Sequence, residues 1–196
     1  MTTILCVDDN ADLVELLSEL LTMMGYMART APGGEECLRM LKEEGFHPDL
    51  ILLDIMMEPM DGWETLQHIR KLPGNGDIPV VMLTGKYPIM SEVETYGSMI
   101  DDYLMKPYHP NQIDELIRHI LSRAEQGREV IRKARECGFD EGLLEEYRHL
   151  AAEVEVLKRF REIIGSTEHF NDGILVKAES RFSVIKGQLA TAGVQV

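Results

Sequence analysis

The chain carries a small set of reactive side chains, each placed at the end of an apolar segment: Asp8, Asp9, Asp54, Thr84 and Lys106. Carboxylates that crowd together repel one another unless a cation lies among them, and oxygen ligands completed by water suit Mg²⁺. A carboxylate, a hard cation, an ammonium and a hydroxyl together neutralise the oxygens of a transferring phosphoryl group. No serine, cysteine or histidine ends these segments, so a carboxylate is the predicted nucleophile.

Alternating periodicities predict the elements that bring these side chains together. Strand-like runs at 2–8, 26–30, 49–54, 78–85 and 100–106 alternate with helical patterns at 11–25, 33–45, 62–72 and 89–97, and a fifth helix follows the last strand. Each parallel crossover needs a helix, so this order predicts a doubly wound α/β domain with a five-stranded parallel sheet. Ligands bind at the carboxyl ends of the strands in such sheets, where the reactive residues lie.

Residues 1–122 resemble a response-regulator receiver domain of two-component signalling, of the chemotaxis-regulator type. The matching residues are the pair Asp8-Asp9, Asp54 in "LLDIMM", "MDG" at 60–62, Thr84 after "VVML", and Lys106-Pro107 after "DDYLM". The resemblance implies a flavodoxin-like sheet in the order 2-1-3-4-5. It also implies a domain that catalyses only its own phosphorylation and dephosphorylation, and is therefore not an enzyme in the usual sense.

The resemblance assigns a role to each carboxylate. Asp54 would accept a phosphoryl group from a phosphohistidine of a sensor histidine kinase, in a reaction that depends on Mg²⁺. The metal ligands would be Asp8, Asp9, Asp54 and the backbone carbonyl of Met56. One departure is Glu58, which stands where the family usually has proline, and it leaves the shape of that loop open.

The resemblance also implies a conformational switch. Thr84 and Lys106 would bind the phosphoryl oxygens, and the peptide bond before Pro107 would be cis. Thr84 would move towards the phosphoryl group while Tyr103 turns inward. The surface formed by the fourth helix, the fifth strand and the fifth helix would then change partners.

Taken singly, these residues have ordinary structural explanations. Asp8 or Asp9 could cap the helix that begins near residue 11, as Asn10 could, and a tyrosine in a strand is usually a packing residue, which applies to Tyr103. Phosphatases of the haloacid-dehalogenase type also use a strand-end aspartate, but they need a second aspartate two residues later, where this chain has Met56. The joint register of the matches favours the receiver.

Residues 123–196 form a helical extension with a different composition. Residues 1–122 carry eight basic and 21 acidic side chains, a net charge of −13, whereas the extension carries 12 and 13. Apolar stripes with alternating spacings of four and three predict that the fifth helix continues past residue 122. They also predict a helix over 143–157 and a third over 175–189. Amphipathic helices bury their stripes together, on the receiver or on another chain, and we predict a coiled-coil hairpin plus a third helix.

The extension has two competing functions, protein binding and DNA binding. A homodimer through the helical tail or the receiver face, or an unidentified downstream protein, fits the amphipathic stripes. A helix-turn-helix needs a short turn and a recognition helix rich in base-reading side chains, and neither is apparent. The acidic composition disfavours a nucleic-acid partner, and the glutamates between the basic residues of the segment 123–135 predict a solvated helix face.

Several other classes of protein are disfavoured. No apolar run is long enough to span a bilayer, and no basic segment precedes the apolar N-terminal residues, so we expect a cytoplasmic protein without membrane insertion. The three cysteines are odd in number and far apart, which disfavours a disulfide framework or a CxxC site. His149 and His169 lack the sequence context of a phosphotransfer domain.

Overall fold

A computed structural model describes residues 1–164 and 170–196, so His169 lies outside the described residues. The elements in chain order are β1 Thr3–Val7, α1 Ala11–Met23, β2 Met27–Ala31, α2 Gly34–Met40, β3 Leu50–Asp54, α3 Gly62–Lys71, β4 Val80–Thr84, α4 Met90–Tyr96, a 3-10 turn Gly97–Met99, β5 Asp102–Met105, α5 Pro110–Glu136, α6 Glu141–Ile164 and α7 Asp172–Thr191. The chain divides into two compact units. The first comprises Met1–Lys86 with Tyr103–Leu121, and the second comprises Tyr87–Asp102 with Ser122–Val196. The predicted domain boundary at residue 122 stays a prediction.

The five strands form one parallel sheet in the order β2-β1-β3-β4-β5, which confirms the predicted fold class. The register of the strands places the ends that carry the reactive side chains at the same edge of the sheet. Val7 is opposite Leu53, so the next residues, Asp8 and Asp54, follow at the same edge. Asp54 is in turn opposite Leu83, which places Thr84 one residue further along.

The sheet is covered on both faces. Strands β1, β3 and β4 are buried along almost their whole length, as expected for central parallel strands. The core of the first unit combines alternate strand residues with one face each of α1 and α5, and includes Ile4, Cys6, Leu17, Leu21, Leu50, Leu52, Val81, Leu83, Ile113, Ile117 and Ile120. This packing fixes the strand ends on which the candidate site is built.

In the second unit, α6 and α7 pack against each other and run antiparallel. The rings of Tyr147 and Phe182 lie 5.3 Å apart, and the Arg181 guanidinium donates two hydrogen bonds of 2.6 Å to the Glu146 carboxylate. Buried residues of α7 continue the contact at Leu175, Ala178, Ile185 and Leu189. The apolar stripes predicted for the second and third tail helices therefore bury each other within one chain.

Helix α5 continues past the first unit without a break, as the spacing of its apolar residues predicted. The basic side chains of its second half all pair with carboxylates: Arg123 with Asp101, Arg128 with Glu125, Arg132 with Glu129 and Glu136, Lys133 with Glu129, and Arg135 with Glu141. Most of these pairs are exposed and contribute little stability. Their effect is to balance the positive charge of this segment.

None of the described helices combines the length and the apolarity that crossing a membrane requires.

Candidate functional site

The ammonium group of Lys106 joins two buried carboxylates at the carboxyl edge of the sheet. Its Nζ donates to Oδ2 of Asp8 at 2.7 Å and to Oδ1 of Asp54 at 2.6 Å. The two aspartates are only 6% and 4% exposed. Three residues separated by up to 98 positions in sequence therefore meet at one point. One cation faces two acids there, so the cluster has an excess of negative charge when all three groups are ionised.

Local backbone contacts orient both carboxylates. The N–H of Met56 donates to the Asp54 carboxylate, and the N–H of Asn10 donates to Oδ1 of Asp8 at 2.8 Å. Asn10, rather than either aspartate, caps α1, because its side-chain oxygen accepts hydrogen bonds from the N–H groups of Asp12 and Leu13. The cap therefore leaves Oδ2 of Asp8 directed to Lys106.

Asp9 lies beside this cluster and contacts the loop after β3. Its side chain is exposed, and its Oδ2 accepts a hydrogen bond from the N–H of Glu58 at 3.1 Å. The peptide bonds Glu58-Pro59 and Lys106-Pro107 are both cis. Within residues 1–164 and 170–196, no group of three or more acidic, histidine or cysteine side chains has the arrangement of a metal site. Ligation of Mg²⁺ by the predicted residues stays a prediction.

Thr84 and Tyr103 are linked through the backbone of Lys86. The Thr84 side chain is fully buried, and its Oγ1 accepts a hydrogen bond from the Lys86 N–H at 3.0 Å. The Tyr103 hydroxyl donates to the Lys86 carbonyl at 2.7 Å, and the Lys106 N–H donates to the Thr84 carbonyl at 2.6 Å. The strand ends that carry the hydroxyl and the ammonium are thus tied together, and Tyr103 points inward with 2% of its surface exposed.

Gly62 is a further constraint on the site, at the end of the "MDG" motif. Its N–H donates to the Ile55 carbonyl at 3.0 Å, while Asp61 caps α3 through the N–H of Glu64. A Cβ atom on Gly62 would overlap the Asp54 carbonyl oxygen and would lie 2.8 Å from the Ile55 Cα. The start of α3 therefore passes directly against the backbone of the candidate nucleophile.

Residues 4–118 match the family model described as the response regulator receiver domain. The chain belongs to this family. The matched region contains every residue of the cluster just described.

This receiver is similar to known proteins both in sequence and in solved structure. A protein of Pyropia yezoensis named probable transcriptional regulator ycf27 is 37% identical over 63% of this chain and 49% of its own length. The N-terminal domain of a response regulator receiver protein from Methanoculleus marisnigri JR1 is 50% identical, with a TM-score of 0.51, over 62% of this chain and 97% of that one. The response regulator protein TrrA from Thermotoga maritima, solved in complex with Mg²⁺ and BeF, is 32% identical, with a TM-score of 0.54, over 61% and 99%. The chain spans about half the length of the curated relatives it matches first.

The electrostatics of the receiver cluster oppose ionisation of Asp54. Burial raises the pKa of the Asp54 carboxyl above its ordinary value of 3.8, and the charge of Asp8 adds to this effect, while Lys106 acts in the opposite direction. Burial lowers the pKa of the Lys106 ammonium, but its hydrogen bonds with Asp54 and Asp8 outweigh burial, so that pKa is raised. At neutral pH the lysine is therefore charged, and the ionised form of Asp54 carries a free-energy cost.

This cost predicts that Asp54→Asn stabilises the receiver at pH 7, by on the order of 1 kcal/mol. The substitution removes the excess negative charge, and Lys106 keeps its bond with Asp8. Because the folded-state pKa of Asp54 is raised, wild type gains stability relative to the variant as the pH falls through that pKa towards 3.8. The advantage of the variant should therefore shrink in acid.

Urea unfolding at pH 7.5 and pH 4.5 measures this difference. Glu19→Gln, which removes an exposed carboxylate on α1, is the control and should change little at either pH. Equal midpoints for wild type and Asp54→Asn at pH 7.5 would contradict the prediction.

Proposed function

We propose that this protein is a cytoplasmic response regulator whose Asp54 accepts a phosphoryl group from a phosphohistidine of a sensor histidine kinase. The observation that carries the proposal is the single ammonium of Lys106 held between the buried carboxylates of Asp8 and Asp54. An ammonium in this position can move with its flexible side chain to contact a phosphoryl group added to Asp54 and neutralise its oxygens.

The proposed transfer is a displacement at phosphorus. A carboxylate oxygen of Asp54 forms a bond to phosphorus, and the bond from phosphorus to the imidazole nitrogen of the donor breaks. The electron pair of that bond leaves with the imidazole, which takes up a proton. Lys106 binds a phosphoryl oxygen, and the Thr84 hydroxyl donates to another once the group is in place.

Mg²⁺ is the proposed cofactor, and the donor set fits it. Oxygen donors and an excess negative charge favour a hard divalent cation. Asp8, Asp9, Asp54 and the Met56 carbonyl would hold the ion, as the resemblance implies. When bound, the ion supplies positive charge that offsets the repulsion between the carboxylates and the incoming phosphoryl group.

We propose that phosphorylation changes how the helical tail binds a protein partner. That partner is a downstream protein or a second copy of this chain. The apolar stripes of α6 and α7 are buried against each other, but Val176 and Val184 of α7 stay exposed and offer apolar surface to a partner. The name of the relatives, probable transcriptional regulator, makes DNA binding the alternative. The charge-balanced pairs of the segment 123–135 favour the protein partner. Salt-dependent binding of duplex DNA by the full chain would favour the alternative.

Incubation with Mg²⁺ and acetyl phosphate, followed by intact mass, tests the proposed chemistry. We expect wild type to gain one phosphoryl group and Asp54→Asn to gain none. Asp61→Asn is the matched control, because asparagine can still cap α3 and the phosphoacceptor is untouched. Sedimentation of the same samples reports whether the assembly state changes. Failure of wild type to gain mass would contradict the proposal.

A further inference from the structure

The α4 segment, defined here as residues 87–102, belongs to the receiver by sequence but to the tail by packing. It lies inside the family match at 4–118. The structure nevertheless groups it with Ser122–Val196 in the second compact unit, while β4 and β5 from Tyr103 onward belong to the first. The segment between two strand ends of the candidate site is thus built into the helical tail.

Apolar contact joins the α4 segment to α6. The 3-10 turn Gly97–Met99 packs against α6, and a Cβ built on Gly97 would lie 3.6 Å from Cδ2 of Leu157. Leu157 is 1% exposed, and Val93 of α4 is 2% exposed. The turn at Gly97 therefore lies against the buried apolar face of α6 that carries Leu157.

Two adjacent acids at the end of the α4 segment each pair with an arginine of the tail. The Arg123 guanidinium donates to the carbonyl of Asp101 at 3.0 Å and to its carboxylate at 3.1 Å. Arg159 of α6 lies 3.4 Å from Oδ1 of Asp102. Asp102 directly precedes Tyr103, so an ion pair to α6 ends one residue before the buried aromatic of the site.

Both ends of the α4 segment are fixed at the candidate site. Lys86 directly precedes the segment and Tyr103 directly follows it, and the two are hydrogen-bonded to each other. Lys86 also donates to Thr84. A shift of the Thr84 hydroxyl towards a phosphoryl group on Asp54 would break its contact with the Lys86 N–H and so remove one of the hydrogen bonds that hold that end of the segment.

We propose that α6 is the built-in partner of the α4 segment, and that phosphorylation of Asp54 loosens the packing between them. This inference rests on the proposed function, because it needs Asp54 to be phosphorylated. The coupling runs from Thr84 through Lys86 to the α4 segment and then to Leu157 and Arg159. Packed elements of this kind shift between discrete arrangements rather than deform continuously.

Amide hydrogen exchange of the full chain, with and without acetyl phosphate and Mg²⁺, tests the coupling. In the phosphorylated protein we expect the amides of α4 and α6 to exchange at least fivefold faster, while those of β2 stay unchanged. Asp54→Asn treated in the same way should show no change in any of these elements.

Coupling between two sites is reciprocal, so the tail must also act on the site. Arg159→Ala removes the ion pair to Asp102 and should raise the rate of phosphoryl uptake from limiting acetyl phosphate about twofold, the scale of a partly exposed pair. Arg161→Ala is the matched control on the same helix, because Arg161 pairs with Asp172 within the tail and should leave the rate unchanged.

The outcomes separate this inference from the proposed function. A gain in mass by wild type with unchanged or slower exchange in α6 would overturn the inference alone. Equal rates for wild type and Arg159→Ala would do the same. Failure of wild type to gain mass would overturn the proposed function and the inference together.

Discussion

Replacement of Gly62 with alanine should destabilise the protein by about 3 kcal/mol and abolish phosphoryl uptake at Asp54. The added Cβ atom would overlap the Asp54 carbonyl oxygen and lie 3.0 Å from the Asp54 carbonyl carbon. These are backbone atoms of β3, which is held between β1 and β4 in the middle of the sheet. Neither the strand nor the start of α3 can move aside without breaking hydrogen bonds, so the clash distorts the nucleophile itself.

Urea unfolding measures this loss, with the fluorescence of the single tryptophan, Trp63, as the probe. Trp63 is buried and adjacent to Gly62, so it reports directly on this part of the fold. Gly127→Ala is the matched control, because nothing lies within 4 Å of a Cβ built at that helical position. It should stabilise α5 by up to about 1 kcal/mol and leave phosphoryl uptake intact. Equal midpoints for Gly62→Ala and wild type would contradict the expected clash.

That these side chains lie at one edge of the sheet could be predicted from the sequence, because the ends of the apolar runs mark the ends of the strands. Apolar runs that stop at Asp8, Asp54 and Lys106 identify where each strand delivers its last side chain. Once the alternation with helices predicts a parallel sheet, these ends must share one edge. At that edge the structure shows Lys106 in salt bridges with both aspartates.

Other parts of the site carry no comparable signal. Lys86 acts through its backbone N–H and carbonyl, and backbone groups are present at every position whatever the side chain. The need for glycine at position 62 depends on how closely α3 approaches β3, a distance that no periodicity encodes. The sequence offered only the "MDG" motif as a pointer to it.

The packing partners of the tail helices could not be predicted from the sequence, for a different reason. An amphipathic stripe shows that a helix face is buried, but it does not identify what covers the face. The pairing of α6 with α7 and the inclusion of residues 87–102 in the second unit are therefore properties of the structure.

The predicted helix ends were less precise than the helices themselves. The helix predicted over 33–45 ends at Met40, and the turns that follow lead to Gly45, whose φ is +81°.

Lys106→Met should lower the rate of phosphoryl uptake from acetyl phosphate about 100-fold, the usual effect of removing one donor to developing charge. Methionine has a similar length but no positive charge, so the phosphoryl oxygens lose the ammonium. The ionised carboxylates of Asp8 and Asp54 would also lose the cation that lies 2.7 and 2.6 Å from them. We therefore expect a further rise in the pKa of Asp54, with stability that falls at neutral pH and recovers as the pH is lowered.

Two companion variants separate charge from geometry in the same kinetic assay. Lys106→Arg keeps the charge but replaces a compact ammonium with a planar guanidinium, and we expect an intermediate rate. Lys71→Met removes an exposed lysine at the end of α3 and should react as wild type does. A wild-type rate for Lys106→Met would contradict the role given to the ammonium. The proposed function would then lose the contact on which it chiefly rests, even if Asp54 still accepted the phosphoryl group.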